Sequence, residues 1–351
     1  MNRYNPLAIE AKWQKIWEDS GTFKADNNSK KPKKSITEIF PRPSRANLHV
    51  GHARNYTTID VLTRYYSQKG YNVLQPFGYD TFDLPAEKST NTSQSATVNF
   101  LSQLKKLGYA IDWSRETETS LPDKKVQPYF SQPYDDYTNT PNVLDPLNVI
   151  NDGYGADTLR TYEMFIGPYN KDVAWDPRSV GAIYHFLNRC WTLVFEKDSS
   201  KKSKNLNLLN KTIKKVTDDI ERASFNTAIS ALMKYVNALY KIGASAEDLI
   251  TLAKLLKPFA PHLASEMLEQ LKSDDTWPEW NEKYLVTDTV EIIVQVNGKL
   301  RAKIKTPTRN LADCKKIEKL ALANLNVQKY VPSKPKKIVY VQKAHLINLV
   351  V

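Results

Sequence analysis

Residues 48–52, Leu-His-Val-Gly-His, carry the side chains of this sequence that are best suited to chemistry. A short stretch of strand character precedes them at 36–40, and a helical pattern follows at 51–69. A turn in that position offers free backbone N–H groups to phosphate, and two imidazoles can donate to negative charge that develops on phosphorus. We therefore expect His49 and His52 to bind the phosphates of a nucleotide, with Gly51 leaving room for its purine or ribose. The alternative is a chance pair of loop histidines.

The elements around this turn predict a parallel sheet. Segments 36–40, 51–69 and 72–76 indicate a strand, a helix and a strand, and Gly70 stands where a glycine commonly follows a helix. Such a βαβ unit implies parallel strands. The Lys-rich segment 27–34 is typical of an exposed loop, and 99–107 predicts another helix. Four prolines and no clear period predict an irregular segment at 117–142.

The second half of the chain is predicted to be helical and then to change period. Helical spacing runs through 156–196, and 206–271 predicts three further helices, the middle one over 225–242. Pro258 and Pro261 must end or kink the last of them. From 289 apolar residues alternate, and Asn297-Gly298 is the signal of a type I′ hairpin turn. A helix at 311–325 and strands at 337–341 and 346–351 complete a small α/β unit.

Composition limits the possible partners and locations. The 351 residues include 50 Lys and Arg against 38 Asp and Glu, a net charge of +12 that favours a polyanionic partner. Two cysteines exclude a disulfide framework and a Cys-rich zinc site. No segment approaches 18 consecutive apolar residues, so we expect no membrane span and a cytoplasmic location.

Several motifs share one order and spacing. They are Phe-Pro-Arg-Pro-Ser at 40–44, the His-x-Gly-His turn, Gly-Tyr-Asp-Thr-Phe-Asp-Leu-Pro-Ala-Glu at 78–87, Tyr-Gly-Ala-Asp-Thr-Leu-Arg at 154–160, Ala-Pro-His at 260–262 and Val-Gln-Val-Asn-Gly-Lys-Leu-Arg-Ala-Lys at 294–303. This set resembles bacterial-type leucyl-tRNA synthetases, a family of class I aminoacyl-tRNA synthetases, beginning at the family's HIGH signature. The resemblance extends over most of the chain.

The resemblance implies a fold that is α/β plus all-α. An N-terminal helix and a partial Rossmann-like parallel half-sheet would occupy 1–120, followed by an irregular join with a degenerate KMSKS region at 121–150. A helical stem-contact and anticodon-binding domain would occupy 151–285. A small C-terminal tRNA-contacting α/β domain would occupy 286–351.

The resemblance also implies roles for individual residues. Relatives form leucyl-adenylate from ATP with Mg²⁺ and transfer the leucine to leucine tRNA. The implied residues are His49 and His52 as the catalytic pair on the ATP phosphates, Pro43 and Gly51 beside ATP, Phe40 and Asp80 on leucine, and Lys299, Arg301, Lys303 and Lys305 on the tRNA backbone. An ordinary solvated strand edge is the alternative for those four cations. We predict no metal site and no zinc.

The sequence departs from the family pattern at the positions on which catalysis depends most. The KMSKS loop falls at 135–139, which reads Asp-Asp-Tyr-Thr-Asn and contains no lysine. The second half of the catalytic sheet, the metal-binding insertion and the editing domain are absent. Arg42, Arg45, Asn47 and Asp83 replace residues that are usual in relatives. We predict that the chain alone is not a competent synthetase. It would be an inactive tRNA-binding protein, one half of a split enzyme completed by a second polypeptide, or a decayed remnant.

Overall fold

The computed structural model describes residues 4–38, 48–79, 100–118, 145–168, 171, 173–196, 205–285 and 289–351. The chain divides into two compact units, which we call the N-terminal unit (Met1–Trp280) and the C-terminal unit (Asn281–Val351). Several predicted positions lie outside the described residues: Phe40, Pro43, Asp80, the substituted positions 42, 45, 47 and 83, and the 135–139 segment.

The N-terminal unit begins with the predicted βαβ arrangement. Its elements are helix α1 (Pro6–Ser20), strand β1 (Lys33–Ser35), helix α2 (Val50–Gln68), strands β2 (Asn72–Leu74) and β3 (Gly78–Tyr79), helix α3 (described over 100–106) and strand β4 (Thr117–Glu118). β1 pairs with β2 and β3 pairs with β4, both in parallel. The parallel βαβ prediction is therefore confirmed, and Gly70 has the positive φ of +85° expected of a glycine that follows a helix.

The predicted position of the first strand is wrong. β1 lies at Lys33–Ser35, within the segment expected to be a loop, and of the predicted 36–40 stretch residues 36–38 are not in a strand. Pairing with Asn72–Leu74 selects these residues, and the Lys34 ammonium lies 4.5 Å from the Tyr66 ring centroid. Hydrogen bonding to a neighbouring strand therefore outweighs the apolar alternation on which the prediction rested.

Helices form the rest of the N-terminal unit. They are α4 (Pro146–Asn151), α5 (Ala156–Phe165), α6 (Val180–Phe195), α7 (Leu206–Glu221), α8 (Phe225–Ile242), α9 (Ala246–Leu256) and α10 (Pro261–Gln270). The prediction of three helices in 206–271 is wrong, because the described chain there forms four. α9 ends before Pro258, and Pro261 occupies the first turn of a new helix, where a missing N–H leaves no hydrogen bond unmade.

The C-terminal unit is a four-stranded sheet with helices. Its elements are strands β5 (Thr289–Val296) and β6 (Lys299–Pro307), helices α11 (Cys314–Leu322) and α12 (Leu325–Gln328), and strands β7 (Lys337–Val341) and β8 (Leu346–Val350), in the sheet order β6-β5-β8-β7. The hairpin prediction is confirmed, since Asn297 and Gly298 have the positive φ values of a type I′ turn. The helix predicted at 311–325 is shorter: the Asp313 side chain caps it by accepting the Lys316 N–H, so α11 begins at Cys314, and it ends at Leu322.

A small apolar core lies beneath the start of α2. It brings together fully buried side chains from α2, α3 and α5, among them Ala53, Leu104 and Leu159, and from Leu48, which precedes α2. A larger core fills the helical part of the N-terminal unit. The His-x-Gly-His turn therefore stands on packed side chains from three helices.

Candidate functional site

His49 is the N-cap of α2. Its backbone is extended, and its Nδ1 accepts the N–H groups of Gly51 at 3.1 Å and His52 at 3.3 Å. Those N–H groups belong to the first turn of the helix, which has no internal partners for them. An Nδ1 that accepts leaves the proton of the neutral ring on Nε2, so this pattern assigns Nε2–H as the group that His49 can donate.

The two imidazoles lie against each other. Their ring centroids are 3.7 Å apart and their planes differ by 23°. Burial lowers the pKa of His49, and burial together with the neighbouring His49 lowers the pKa of His52 to about 4. Both rings are therefore neutral near pH 7, and they would meet an anion as hydrogen-bond donors and not as cations.

Gly51 lies close beneath the capping imidazole of His49. A Cβ at this position would lie 3.1 Å from Cε1 and Nδ1 of His49, which is tighter than ordinary van der Waals contact. The glycine therefore lets the capping imidazole lie over the helix end. The predicted room for a purine or ribose is a separate matter and stays a prediction.

A buried ion cluster fixes α2 two turns after the histidines. Asp60 accepts from Arg64 Nε at 2.7 Å and from Arg160 Nη2, and it also accepts the Ala110 N–H. Burial alone would raise the pKa of Asp60, but Arg160 and Arg64 outweigh it and hold that pKa below its usual value. Arg160 also donates to the carbonyl of Pro258 at 3.2 Å, so the cluster ties α2 to the segment between α9 and α10.

A second buried group connects α1, α5 and α10 through their helix ends. Glu10 of α1 accepts the Asp157 N–H at the start of α5, and Asp157 accepts the Leu263 N–H at the start of α10 at 2.7 Å. Asp157 also lies 2.7 Å from Nδ1 of His262. The residues before α5 and α10, Gly155 and Ala260, provide no side-chain cap. An oxygen of each carboxyl group therefore caps a helix other than its own.

Glu10, Asp157 and His262 also form a candidate metal-ligand group among the described residues. Their ligand atoms lie within 4.8 Å of one another and all three residues are buried. Both Asp157 oxygens and one Glu10 oxygen already accept hydrogen bonds, and His262 contacts Asp157 and Gln14. Helix capping therefore accounts for the cluster without an ion. The sequence motifs at 154–160 and 260–262 include Asp157 and His262, but the contact between them and the part played by Glu10 were not predicted, because these residues are far apart along the chain.

The four cations predicted to contact tRNA lie on β6, but they do not form one uniform row. A bulge between Val294 and Gln295 of β5 leaves Arg301 without a register partner. Arg301 instead stacks on the Tyr330 ring at 3.7 Å, and Lys303 pairs with Glu291 at 3.0 Å. Lys299 and Lys305 are exposed and form no ion pair with the residues that the structure describes.

None of the helices in the described segments is both long enough and apolar enough to cross a bilayer.

Comparisons with known proteins match both halves of the chain. Residues 12–98 match the family model for class I tRNA synthetases (I, L, M and V), and residues 204–317 match the anticodon-binding domain of tRNA ligase. Among solved structures, the fold is similar to that of the agnB2 LeuRS from Agrobacterium radiobacter, in a ternary complex with tRNA and LeuAMS. That match has a TM-score of 0.76 at 16% sequence identity and covers 99% of this chain and 99% of that chain.

The chain thus combines a class I tRNA synthetase domain with the anticodon-binding domain of tRNA ligases. The overall fold is similar to that of a leucyl-tRNA synthetase. The fold class and the family resemblance predicted from the sequence are confirmed.

Proposed function

We propose that this chain is a leucyl-tRNA-synthetase-like protein that binds leucine tRNA and does not form leucyl-adenylate by itself. The match of 204–317 to an anticodon-binding domain carries the proposal. Charge supports it, because Asn281–Val351 contains fourteen Lys and Arg against five Asp and Glu, a net +9 of the chain's +12. The similar LeuRS fold is known in a complex with tRNA.

Exposed cations on β6 would contribute to tRNA binding. Lys299 and Lys305 are the predicted contacts with tRNA phosphates, since both are exposed and neither forms an ion pair with the described residues. Lys303 and Arg301 would contribute less, because Glu291 and Tyr330 already hold them. Binding dominated by phosphate contacts weakens steeply as salt rises, because condensed counterions are released on association.

The His49–His52 turn would bind the phosphates of ATP, which class I synthetases use with Mg²⁺. The Nε2–H of His49 is the donor that the helix cap leaves available for a phosphate oxygen. Pro43 and Gly51 are proposed beside the nucleotide, and Phe40 and Asp80 beside leucine. Binding at such a turn requires only donors aimed at the anion.

Adenylate formation requires more than the turn offers. Residues 135–139, Asp-Asp-Tyr-Thr-Asn, fall where relatives have the KMSKS loop; they include no lysine, and their two carboxylates would repel a triphosphate. Losing one donor to a developing charge typically costs about 10²–10³ in rate. Losing the lysines together with half of the pocket would reduce the rate by the product of several such factors.

Leucine-dependent ATP–pyrophosphate exchange tests the catalytic half of the proposal. We expect the purified chain to give no exchange above a no-enzyme control, both with and without tRNA. The His49→Ala/His52→Ala chain is the matched control for traces of contaminating host enzyme. Leucine-dependent exchange that this double variant abolishes would overturn the proposal that the chain is inactive.

A gel-shift titration tests the binding half. We expect leucine tRNA to shift, with an affinity that falls at least tenfold between 50 and 200 mM salt. A transfer RNA of another specificity serves as the competitor. An affinity that does not change with salt, or the absence of a shift at micromolar protein, would refute tRNA binding as the function.

A second candidate function is one half of a split synthetase. In the described residues β1 pairs only with β2, and Lys33 and Ser35 are exposed on it. A strand from a second polypeptide could extend the sheet there. The test adds a separately expressed KMSKS-containing half of a leucyl-tRNA synthetase to this chain and measures exchange. Activity that requires both parts would favour this function, and inactivity of the mixture would argue against it.

A further inference from the structure

A buried glutamine on α3 contacts the residue that leads into the His49–His52 turn. Gln103 is only 2% exposed, and its Oε1 accepts the N–H of Leu48 at 2.9 Å. Leu48 is 1% exposed and immediately precedes the N-cap His49, so its N–H lies outside the helical hydrogen-bond pattern. Gln103 therefore satisfies a buried donor that water does not reach.

Two neighbours of Gln103 contact the same turn of α2. The Phe100 ring meets His52 edge-on, with centroids 5.7 Å apart and planes at 82°. The Tyr109 hydroxyl donates to the Ala53 carbonyl at 3.0 Å. The 100–109 segment thus contacts the first turn of α2 at three positions, of which the Gln103 bond lies furthest toward its start.

We infer that Gln103 is a positioning residue for the His49–His52 turn, holding Leu48 so that His49 keeps the extended backbone from which its imidazole caps α2. The link from that geometry to nucleotide binding rests on the proposed function. The first turn of a helix is its least cooperative part, because its N–H groups have no partners further back. If Leu48 were free to move, the His49 imidazole would no longer hold its Nε2–H in one direction. That N–H is the group proposed to contact phosphate.

Removing the acceptor while keeping the volume isolates this role. Gln103→Leu leaves the Leu48 N–H buried without a partner. Gln68→Leu is the matched control, since Gln68 is also a buried glutamine but lies in the last turn of α2, where it donates to the carbonyls of Lys254 and Asp275. Each variant is made in the full-length chain.

The decisive readout is the titration of the histidine rings. The chain has five histidines, so ¹³Cε1 labelling of histidine resolves His49 and His52 by NMR. In the parent chain we expect the pKa of His52 to be about 4, as burial and His49 dictate. Gln103→Leu should raise it by more than one unit as the turn opens to water. Gln68→Leu should keep it near the parent value.

Affinity for ATP with Mg²⁺, measured by calorimetry, is the second readout. We expect Gln103→Leu to weaken it at least tenfold, with Gln68→Leu within about threefold of the parent chain. Equal effects of Gln103→Leu and Gln68→Leu on the His52 titration would overturn the inference, because the loss of any buried hydrogen bond of α2 would then explain them. If the parent chain does not bind ATP, the nucleotide proposal fails while the titration still decides whether Gln103 positions the turn.

Discussion

Charged side chains lie in opposite settings in the two units. Around α2 in the N-terminal unit, Asp60, Arg64 and Arg160 are buried and bond to one another. On β6 of the C-terminal unit, Lys299 and Lys305 are exposed and have no ion-pair partner among the described residues. The N-terminal unit has a net charge of +3, and the C-terminal unit has a net charge of +9.

The difference separates charge that holds the fold from charge that is available to a partner. A buried ion must be paired within the chain, because losing its hydration is costly. An exposed lysine adds little to stability, but it attracts a polyanion from a distance. Stability should therefore depend on the buried cluster, and tRNA affinity on the exposed strand.

The largest effect is expected from Asp60→Ala. It would leave Arg64 and Arg160 buried without their carboxylate, which typically costs about 3–5 kcal/mol. Asp19→Ala is the control, since Asp19 forms an exposed i,i+4 pair with Lys15 that should be worth under about 0.5 kcal/mol. Urea denaturation followed by circular dichroism measures both. Similar losses in the two variants would contradict the distinction between buried and exposed charge.

Gly108→Ala should cost about 3 kcal/mol of unfolding free energy, since left-handed backbone costs about 1–2 and overpacking about 1–3. Gly108 has φ of +67°, and an added Cβ would overlap the imidazole of the fully buried His262. That ring cannot move away easily, because it bonds to Asp157. Gly70→Ala is the control, because Gly70 also has a positive φ, of +85°. No described atom lies within 4 Å of the added Cβ, so only the backbone strain remains and the cost should be about 1 kcal/mol. Equal losses of unfolding free energy in the two variants would mean that the His262 ring moves away from the added methyl group at no cost.

Glu10 should make the N-terminal unit less stable as pH rises. Burial, together with Asp157, raises the pKa of Glu10 to about 8. Below the ordinary pKa of about 4.5, the Glu10 carboxyl is protonated in both the folded and the unfolded chain, and its contribution to stability is fully present. Between there and pH 8 only the unfolded chain releases the proton, so stability falls by up to about 1.36 kcal/mol per pH unit.

Glu10→Gln tests this dependence, because the amide oxygen can still accept the Asp157 N–H. From pH 6 to pH 7.5 the parent chain should lose about 2 kcal/mol more than the variant. Denaturation at each pH measures the difference, and all other titrating groups are common to the two proteins. Parallel curves would show that Glu10 is ionised in the folded chain.

The sequence predicts local features well and distant partners poorly. The helix that begins beside His49, the glycine after it and the Asn297-Gly298 turn depend on residues close together along the chain, and all are observed. The Asp60–Arg160 contact joins residues 100 positions apart, so no spacing rule finds it. The i,i+4 spacing of Asp60 and Arg64 was the only local signal of this cluster.

Alternation on β6 shows the same limit at short range. The apolar pattern at 300–304 predicts that Leu300 and Ile304 share a face. The bulge pairs Leu300 with Gln295 instead, and Leu300 is 55% exposed while Ile304 is buried. A bulge adds one unpaired residue and reverses the inward and outward pattern of side chains beyond it.

The residues proposed to bind leucine and ATP remain predictions.

The smallest effect, in free energy, is expected for the exposed lysines. Lys299→Ala/Lys305→Ala should weaken leucine tRNA binding about tenfold. It should also reduce the slope of log affinity against log salt by about 1.4 to 1.8, the value for two phosphate contacts. Lys337→Ala/Lys343→Ala removes the same charge from exposed positions at the other edge of the sheet and is the control. Gel shifts over a salt series measure both slopes. If the two double variants lose affinity and slope equally, the net charge of the C-terminal unit binds tRNA and β6 has no particular role; a smaller loss in the control would place the contact on β6.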